Sequence, residues 1–531
     1  MKKRFWISAL AAGLIGVLMA SPSMARELLV FDRPLNILGY ASQEAGLSLS
    51  DKDRYDTEKG LQQTLMNLFV EGDYKISDQL RFYGSTRLTS DWIYQLKHND
   101  SSWHDKEFNK SRKNLNVDDE YWQLLREAHF TWTPEKFFFR AGKQIVTWGE
   151  MLGIRLMDQI NPLDSRRALG LNDIEFDYTP IPIWLIRSEY HPGITTSWMQ
   201  DLAFEFVFNP NADNIHDLGV PLGNDEAGIW APNIRIPDPT APGGEVRIGS
   251  VTSNIEDPGS FNRKGHEYAF RVKGVVKDAI VTLNAFYGKE NSPIVKFAPG
   301  FFGPPTLASD GKLNLHPLFE GKFPRFRFIG ATASKDIPFL KAPFLGNVAP
   351  VFRLETWYAF NNTFTDALST FNSRNTFKEF DEFRAAINID WKIKIRALNQ
   401  RANFFINPQI FYRRVGGFSG PSPSGPDWFD TAITRVGKHN WLATLYVDTV
   451  YLNAKLRPSI FWIHDFEFGG DYFLPQAIYD WSTNWRFTLG ALIFAGKKLP
   501  GWENGSFKSN NGFDLFKHKD QIFLRATYRW S

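Results

Sequence analysis

The chain has no cysteine among its 531 residues. Disulfides, thiolate metal sites and cysteine nucleophiles are therefore excluded. Past residue 25 it also lacks any run near the ~20 consecutive apolar residues of a spanning helix, so it is not a helical membrane protein. An excess of one charge sign is missing as well. The formal net charge is +3, from 61 basic and 58 acidic residues, and Lys2, Lys3 and Arg4 account for all of it. These three form the positive end of a secretory signal peptide, followed by an apolar run from about Phe5 to Ala20. Ser23-Met24-Ala25 then supplies small residues where a signal peptidase reads, so cleavage is expected after Ala25. What remains, residues 26–531, is balanced in charge and offers no basic attraction to nucleic acid.

What is abundant is aromatic: 47 Phe, 18 Trp and 17 Tyr, 15% of the chain. Many fall in stretches of about ten residues with period-two alternation. Near the end, Ile522, Leu524, Ala526, Tyr528 and Trp530 share one face, and Gln521, Phe523, Arg525, Thr527 and Arg529 the other. Leu202, Phe204, Phe206 and Phe208 oppose Ala203, Glu205 and Val207. Phe352, Leu354, Thr356, Tyr358 and Phe360 oppose Arg353, Glu355 and Trp357. Phe383, Ala385, Ile387, Ile389 and Trp391 oppose Arg384, Asn388, Asp390 and Lys392. The apolar faces meet lipid and the polar faces a wet lumen in a transmembrane β-barrel. A soluble β-sandwich alternates too, but its apolar faces are mainly aliphatic. Here Tyr and Trp gather near strand ends (Trp132, Tyr190, Tyr287, Tyr358, Trp530), where interfacial girdles sit.

The predicted connections alternate short and long. Short ones fall near 75–78, 133–136, 191–197, 277–278, 397–401, 455–457 and 482–484, with a medium one at 336–348. Long ones fall near 46–60, 97–120, 149–181, 209–263, 290–322, 361–379, 415–438 and 497–518. Splitting the last long stretch at Ser482-Thr483-Asn484 gives an even total of about 18 antiparallel strands, with 16 as the alternative and both termini periplasmic. The expectation is one all-β outer-membrane barrel domain over 26–531, in a Gram-negative cell. It has short periplasmic turns and long extracellular loops, and its wall contacts outer-membrane lipid.

The most individual segment is Arg140-Ala-Gly-Lys-Gln144-Ile-Val-Thr-Trp148-Gly-Glu150, followed by Asp158-Gln-Ile-Asn161-Pro-Leu-Asp164. It joins the fifth strand to its long loop. Gly149 lets Trp148 and Glu150 leave the wall sharply, Asn161-Pro162 and Asp164 fix a turn, and Ile154 to Ile160 is predicted as a short helix. Such a loop either folds inward and narrows the lumen or packs as an ordinary surface loop. This segment (Gly142, Lys143, Gln144, Trp148, Gly149, Glu150, Asn161, Pro162 and Asp164) resembles the proteobacterial outer-membrane proteins catalogued as domain-of-unknown-function family 1302. The likeness is sharp over 138–166 and architectural elsewhere. It implies a barrel that moves solutes across the outer membrane, apolar cargo, and a partner in an envelope transport system.

Charged residues of both signs lie on the lumen faces, among them Arg140, Arg187, Glu189, Glu205, Arg271, Arg353, Glu355, Arg384 and Asp390. They either set a transverse field for permeating solutes or pair with one another and brace the barrel. Two connections are oddly apolar: 294–324, with Phe297, Phe301, Phe302, Leu315 and Phe319, and 337–345. They line a path for a greasy molecule, plug the lumen, or pack among the loops. Asp213, Asp217 and Asp225 offer oxygen ligands but not the twelve-residue calcium loop, and the ten His show no metal spacing. No metal or cofactor is expected. No Gly-x-Ser-x-Gly elbow or adjacent His/Ser set marks an enzyme. The expected function is passage of small solutes, hydrophobic ones among them. The alternative is a docking barrel with a loop-plugged lumen.

Overall fold

The computed structural model describes residues 26–50, 59–97, 115–167, 179–218, 230, 235–237, 240–248, 252–307, 311–341, 346–366, 376–419, 422–426, 428, 433–467, 469–496, 501–503, 506–508, 513, 516 and 519–530. The signal-peptide reading and Asp225 lie outside them. Eighteen antiparallel strands form the wall: β1 (Arg33–Ser48), β2 (Leu65–Lys75), β3 (Leu80–Asp91), β4 (Leu125–Trp132), β5 (Phe137–Gln144), β6 (Ile183–Tyr190), β7 (Met199–Asn209), β8 (Glu267–Val276), β9 (Ala279–Lys289), β10 (Arg325–Asp336), β11 (Val351–Asp366), β12 (Thr376–Ile393), β13 (Phe404–Val415), β14 (His439–Asp448), β15 (Leu456–Asp465), β16 (Gly470–Asp480), β17 (Trp485–Ala495) and β18 (Gln521–Trp530). Each pairs with its neighbours in sequence. The sheet closes where β18 pairs with β1, from Gly39 opposite Trp530 to Ser48 opposite Gln521. Closure leaves no unpaired strand edge, which is what lets a β structure span lipid. Among the described residues no helix is long and apolar enough to cross a membrane.

Eight short connections lie at one end, down to the two-residue turn Lys277–Asp278, whose φ values of 48° and 66° match the strand twist. Nine connections lie at the other end, so both termini of the wall are at the short-turn end. One of the nine, 466–469, is itself tight. It was not predicted: Gly469-Gly470 marks the turn, but the apolar alternation runs on through Phe466 and Phe468. Arg26–Val30 folds back on 33–37. At the long-loop end the chain builds a second, five-stranded sheet. In it 294–307 and 313–322 form a hairpin that also pairs with 245–248 and 252–256, and 235–237 pairs with 245–247.

Alternation orients the wall as expected from the pattern. Ile186, Phe206, Phe270, Ile329, Phe360, Ile387, Ile410, Leu489, Ile522 and Leu524 point outward and exposed. The inward faces differ from expectation: they are not uniformly polar. A single cluster of buried apolar side chains runs around thirteen consecutive strands, β6 to β18. It includes Phe328, Trp357, Phe411, Phe461, Tyr472, Phe494 and Phe523. Inward-facing loops fill the space between them, because Trp148, Ile154, Leu156, Met157 and Ile160, together with Trp230, Trp428, Phe513 and Phe516, join the same cluster.

Candidate functional site

The site is built from the connection between β5 and β6. Its root is fixed by Gly142-Lys143-Gln144. Gly142 sits at φ 135°, and a Cβ there would meet the Ala128 carbonyl oxygen at 2.2 Å, so the strand passes its neighbour only as glycine. Lys143 is fully buried. Its Nζ donates to the Pro182 carbonyl at 2.7 Å and meets Asp213 at 3.3 Å. Gln144 Nε2 donates to the Leu185 carbonyl at 3.1 Å. Asn161 then ties the two ends of the segment together. Its Oδ1 accepts from the Val146 N–H at 2.8 Å, and its Nδ2 donates to the carbonyls of Gln144 at 3.1 Å and Ile181 at 2.9 Å.

Between those ties the chain enters the lumen. The Trp148 and Gly149 N–H groups both donate to Asp158, the latter at 2.8 Å, and the Glu150 N–H donates to Glu355 on β11. A Cβ on Gly149 would lie 2.7 Å from Asp158 Oδ2 and 3.3 Å from Glu355 Oε1. Glycine is what allows two carboxylates to close on three successive amides. Burial pushes the Asp158 carboxyl up, while the Gly149 and Trp148 amides pull it down. Farther along, the Leu152 N–H donates to Gln409 Oε1 at 2.9 Å, Gln409 Nε2 donates to the Leu152 carbonyl at 2.7 Å, and Trp357 Nε1 donates to the Leu156 carbonyl at 2.8 Å. The segment thus starts on β5 and is clamped to β11 and β13, six and eight strands away around an eighteen-strand wall. The predicted helix over 154–160 does not form. Within it the Leu156 carbonyl accepts from Trp357 Nε1 and the Gln159 carbonyl from Asn291 Nδ2 at 2.9 Å, and side-chain partners of this kind compete with a helical ladder.

The inward charges pair. Glu205 forms ion pairs with Arg187 at 2.8 Å and Arg271 at 2.5 Å and accepts a hydrogen bond from Trp148 Nε1 at 3.3 Å, and Arg187 also meets Glu189 at 2.5 Å. Arg353 bridges Glu150 at 2.6 Å and Asp390. Trp148, Glu150, Asp158, Arg187, Arg353 and Glu355 therefore belong to one set of contacts along the inward loop, while Asn161 ties the loop's ends separately. Arg140 stands at its edge, its Nε donating to Thr131 Oγ1 at 2.9 Å. Arg384 pairs with Glu382 at 2.7 Å and lies over the rings of Trp357 and Trp428. Asp164 lies apart, in a buried group with Arg166 at 2.8 Å, which also holds Asp118 at 2.6 Å. Burial raises the Asp164 carboxyl, but Arg166, then Arg167 and Arg87, outweigh it and hold the group well below the usual carboxylate range. Asp217 is engaged by Arg155 and Ser292. Among the described residues no group of three or more His, Asp or Glu is arranged to hold a metal.

Phe297, Phe301, Phe302 and Phe319 cluster within the hairpin of the second sheet, with Phe297 stacked on Phe319 at 4.8 Å and Leu315 half-buried beside them. In the apolar connection 337–345, Ile337, Phe339 and Leu340 surround a turn at the short-turn end, and residues 342–345 lie outside the description. Sequence reasoning missed Gln409, Trp357 and Asn388 as the docking surface for the inward loop. Trp357 showed only as an aromatic on a charged face, and Gln409 carried no signal at all.

A closed eighteen-strand barrel with a polar-aromatic inner wall and an inward loop is an outer-membrane, porin-like β-barrel. The resemblance read from the Trp148-Gly149-Glu150 segment is borne out: the family described as "Protein of unknown function (DUF1302)" matches residues 51–209, from the first long connection to the end of β7. Among solved structures the chain is similar to OccAB3 of Acinetobacter baumannii, at 9% identity and a TM-score of 0.43 over 93% of this chain and 98% of that one. It is also similar to OccK8 (OprE) of Pseudomonas aeruginosa, at 9% identity and 0.42 over 94% and 98%. OmpT of Vibrio cholerae gives 9% identity and 0.34 over 93% and 99%. No curated protein matches.

Proposed function

We propose that the barrel carries small, mainly apolar solutes across the outer membrane, with residues 145–167 as its constriction and residues 1–25 as its export signal. The observation that carries this reading is the buried apolar cluster that runs from β6 to β18 and takes in side chains of the inward loop. An apolar interior excludes water and ions at little cost to a greasy solute, and a hydrophobic constriction gates by dewetting. The paired charges around Glu205 and Arg353 brace the loop rather than attract a charged cargo. In this reading the apolar hairpin around Phe297 and Phe319 is the entry surface.

The test has two parts. Purified barrel in planar bilayers is expected to pass little current. A variant with Gly149–Gln159 replaced by a short Gly/Ser linker is expected to pass several-fold more. A deletion strain complemented with wild type is expected to take up an apolar tracer faster than an uncomplemented one. The second reading, a plugged docking barrel, is favoured by the near-complete burial of Met157 and Ile154. Unchanged tracer uptake together with no current from the linker variant would sink the transport reading in its favour.

A further inference from the structure

Among the described residues, two ladders of the wall are interrupted without a change of register, and a proline stands at each. β12 and β13 pair at Asn388 opposite Gln409 and again at Trp391 opposite Ile406, which skips Pro408. β16 and β17 pair at Phe473 opposite Ile493 and again at Gln476 opposite Gly490, which skips Leu474 and Pro475 against Leu492 and Ala491. Proline has no N–H to give to a ladder. On their far sides, β16 and β17 stay paired through the same level, to β15 and β18.

The two gaps differ in what bridges them. Beside Pro408, Asn407 on β13 donates to Asp390 on β12, which Arg353 also holds. That bond ties the strands where the ladder lapses. At Pro475 the inward side chains are Leu474 and Leu492, both buried in the apolar cluster, and neither can form such a tie. Next to them Gly490 has no side chain. A Cβ there would lie 2.5 Å from the Phe523 ring, which takes up that space from β18. On the outward face Ile493 and Leu489 are exposed, and Phe473, Pro475 and Ala491 share that face. The level of the seam is set by its neighbours. Trp462 stacks on Phe473 on the long-loop side, and Tyr479 and Trp481 are exposed on the short-turn side. Tyr and Trp mark the interfaces with the headgroups, so the seam lies between them, in the hydrocarbon layer. It is apolar on both faces. An intact ladder resists parting in lipid, where no water replaces its bonds. This seam has fewer bonds to break.

We infer that β16 and β17 part at Pro475 and release apolar solutes from the lumen sideways into the membrane. The inference rests on the transport reading above and adds the exit to it. The chain has no cysteine of its own, so an engineered disulfide is its sole crosslink. Opposed residues of an antiparallel pair have Cα atoms about 4.5–5.5 Å apart, within the reach of a disulfide. A deletion strain carries wild type, F473C/I493C at the seam, or I387C/I410C across a continuous stretch of the β12–β13 ladder. Entry of the apolar dye N-phenylnaphthylamine into membrane lipid is followed by its fluorescence. Oxidised F473C/I493C is expected to slow entry severalfold, with recovery on reduction, and oxidised I387C/I410C to match wild type. L474C/L492C replaces F473C/I493C should that variant lose the heat-modifiable migration of a folded barrel. Entry unchanged by the seam crosslink, or slowed equally by both crosslinks, would overturn the lateral exit while leaving transport standing. Equal entry in the wild-type and uncomplemented strains would remove the transport reading and the exit with it.

Discussion

Gly142 and Gly149 do different things within one motif. Gly142 provides a backbone angle and a clearance that a Cβ would destroy, and Gly149 makes room for two carboxylates beside three amides. G142A is expected to cost about 1–3 kcal/mol, the range for a residue forced into a sparsely populated backbone region. It would be read as a lower midpoint for the shift between folded and unfolded bands on heating. Gln409 acts at a distance: it accepts one hydrogen bond from Leu152 and donates another to it, and sits in a chain with Asn388 and Thr444. Each such bond contributes about 1 kcal/mol net. Q409A is expected to loosen the inward loop by roughly 2 kcal/mol, seen as faster protease cleavage within 148–160 with the barrel itself intact.

The inward loop is the element that decides how open the lumen is, and two chemistries hold it. One is apolar packing of Trp148, Ile154, Leu156 and Met157 against the wall. The other is the buried Asp118–Arg166–Asp164 group at its distal end. The sign of the second is set by Asp164. Its folded value lies below the ordinary 3.8, so its contribution is complete above that value and lost as pH falls toward the folded one. Protection of residues 163–167 from proteolysis is expected to be flat from pH 8 to about 5 and to fall only below about 4. Loss of protection already at pH 6 would contradict this assignment.

At the scale of the whole molecule, closure joins strands from the two ends of the chain. Glu44 on β1 and Arg525 on β18 meet at 2.7 Å across the seam, with Glu44 almost fully buried. Removing one partner of a buried pair leaves the other charge uncompensated and costs about 3–5 kcal/mol. E44L is expected to lower the unfolding midpoint in vesicles more than L524A, which removes an exposed lipid-facing side chain. The aromatic surplus also divides at this scale. Part of it faces lipid and forms girdles, as the alternation implied. Another part, including Trp357, Phe411, Phe461, Tyr472 and Phe494, faces inward and builds an internal core.

Local pattern was enough for the wall. Period-two alternation decides which side chains of a strand meet lipid, because successive residues point to opposite faces whatever the strand pairs with. Turn chemistry at Lys277-Asp278 and Ser482-Thr483-Asn484 placed the reversals, and parity then gave eighteen strands. The tight connection at 466–469 escaped although Gly469-Gly470 is turn chemistry of the same kind, because the apolar alternation of the flanking strands runs on through Phe466 and Phe468. The motif around Trp148 and Asn161 was visible as a place, and its likeness to a family was visible too. Its conformation was not, because the side chains that clamp it, Glu355, Trp357 and Gln409, come from strands about 200 residues or more further along. The same holds for the inner core. Whether an inward aromatic meets water or another ring depends on which loops fold into the lumen, and only three-dimensional closure brings those loops and that wall together.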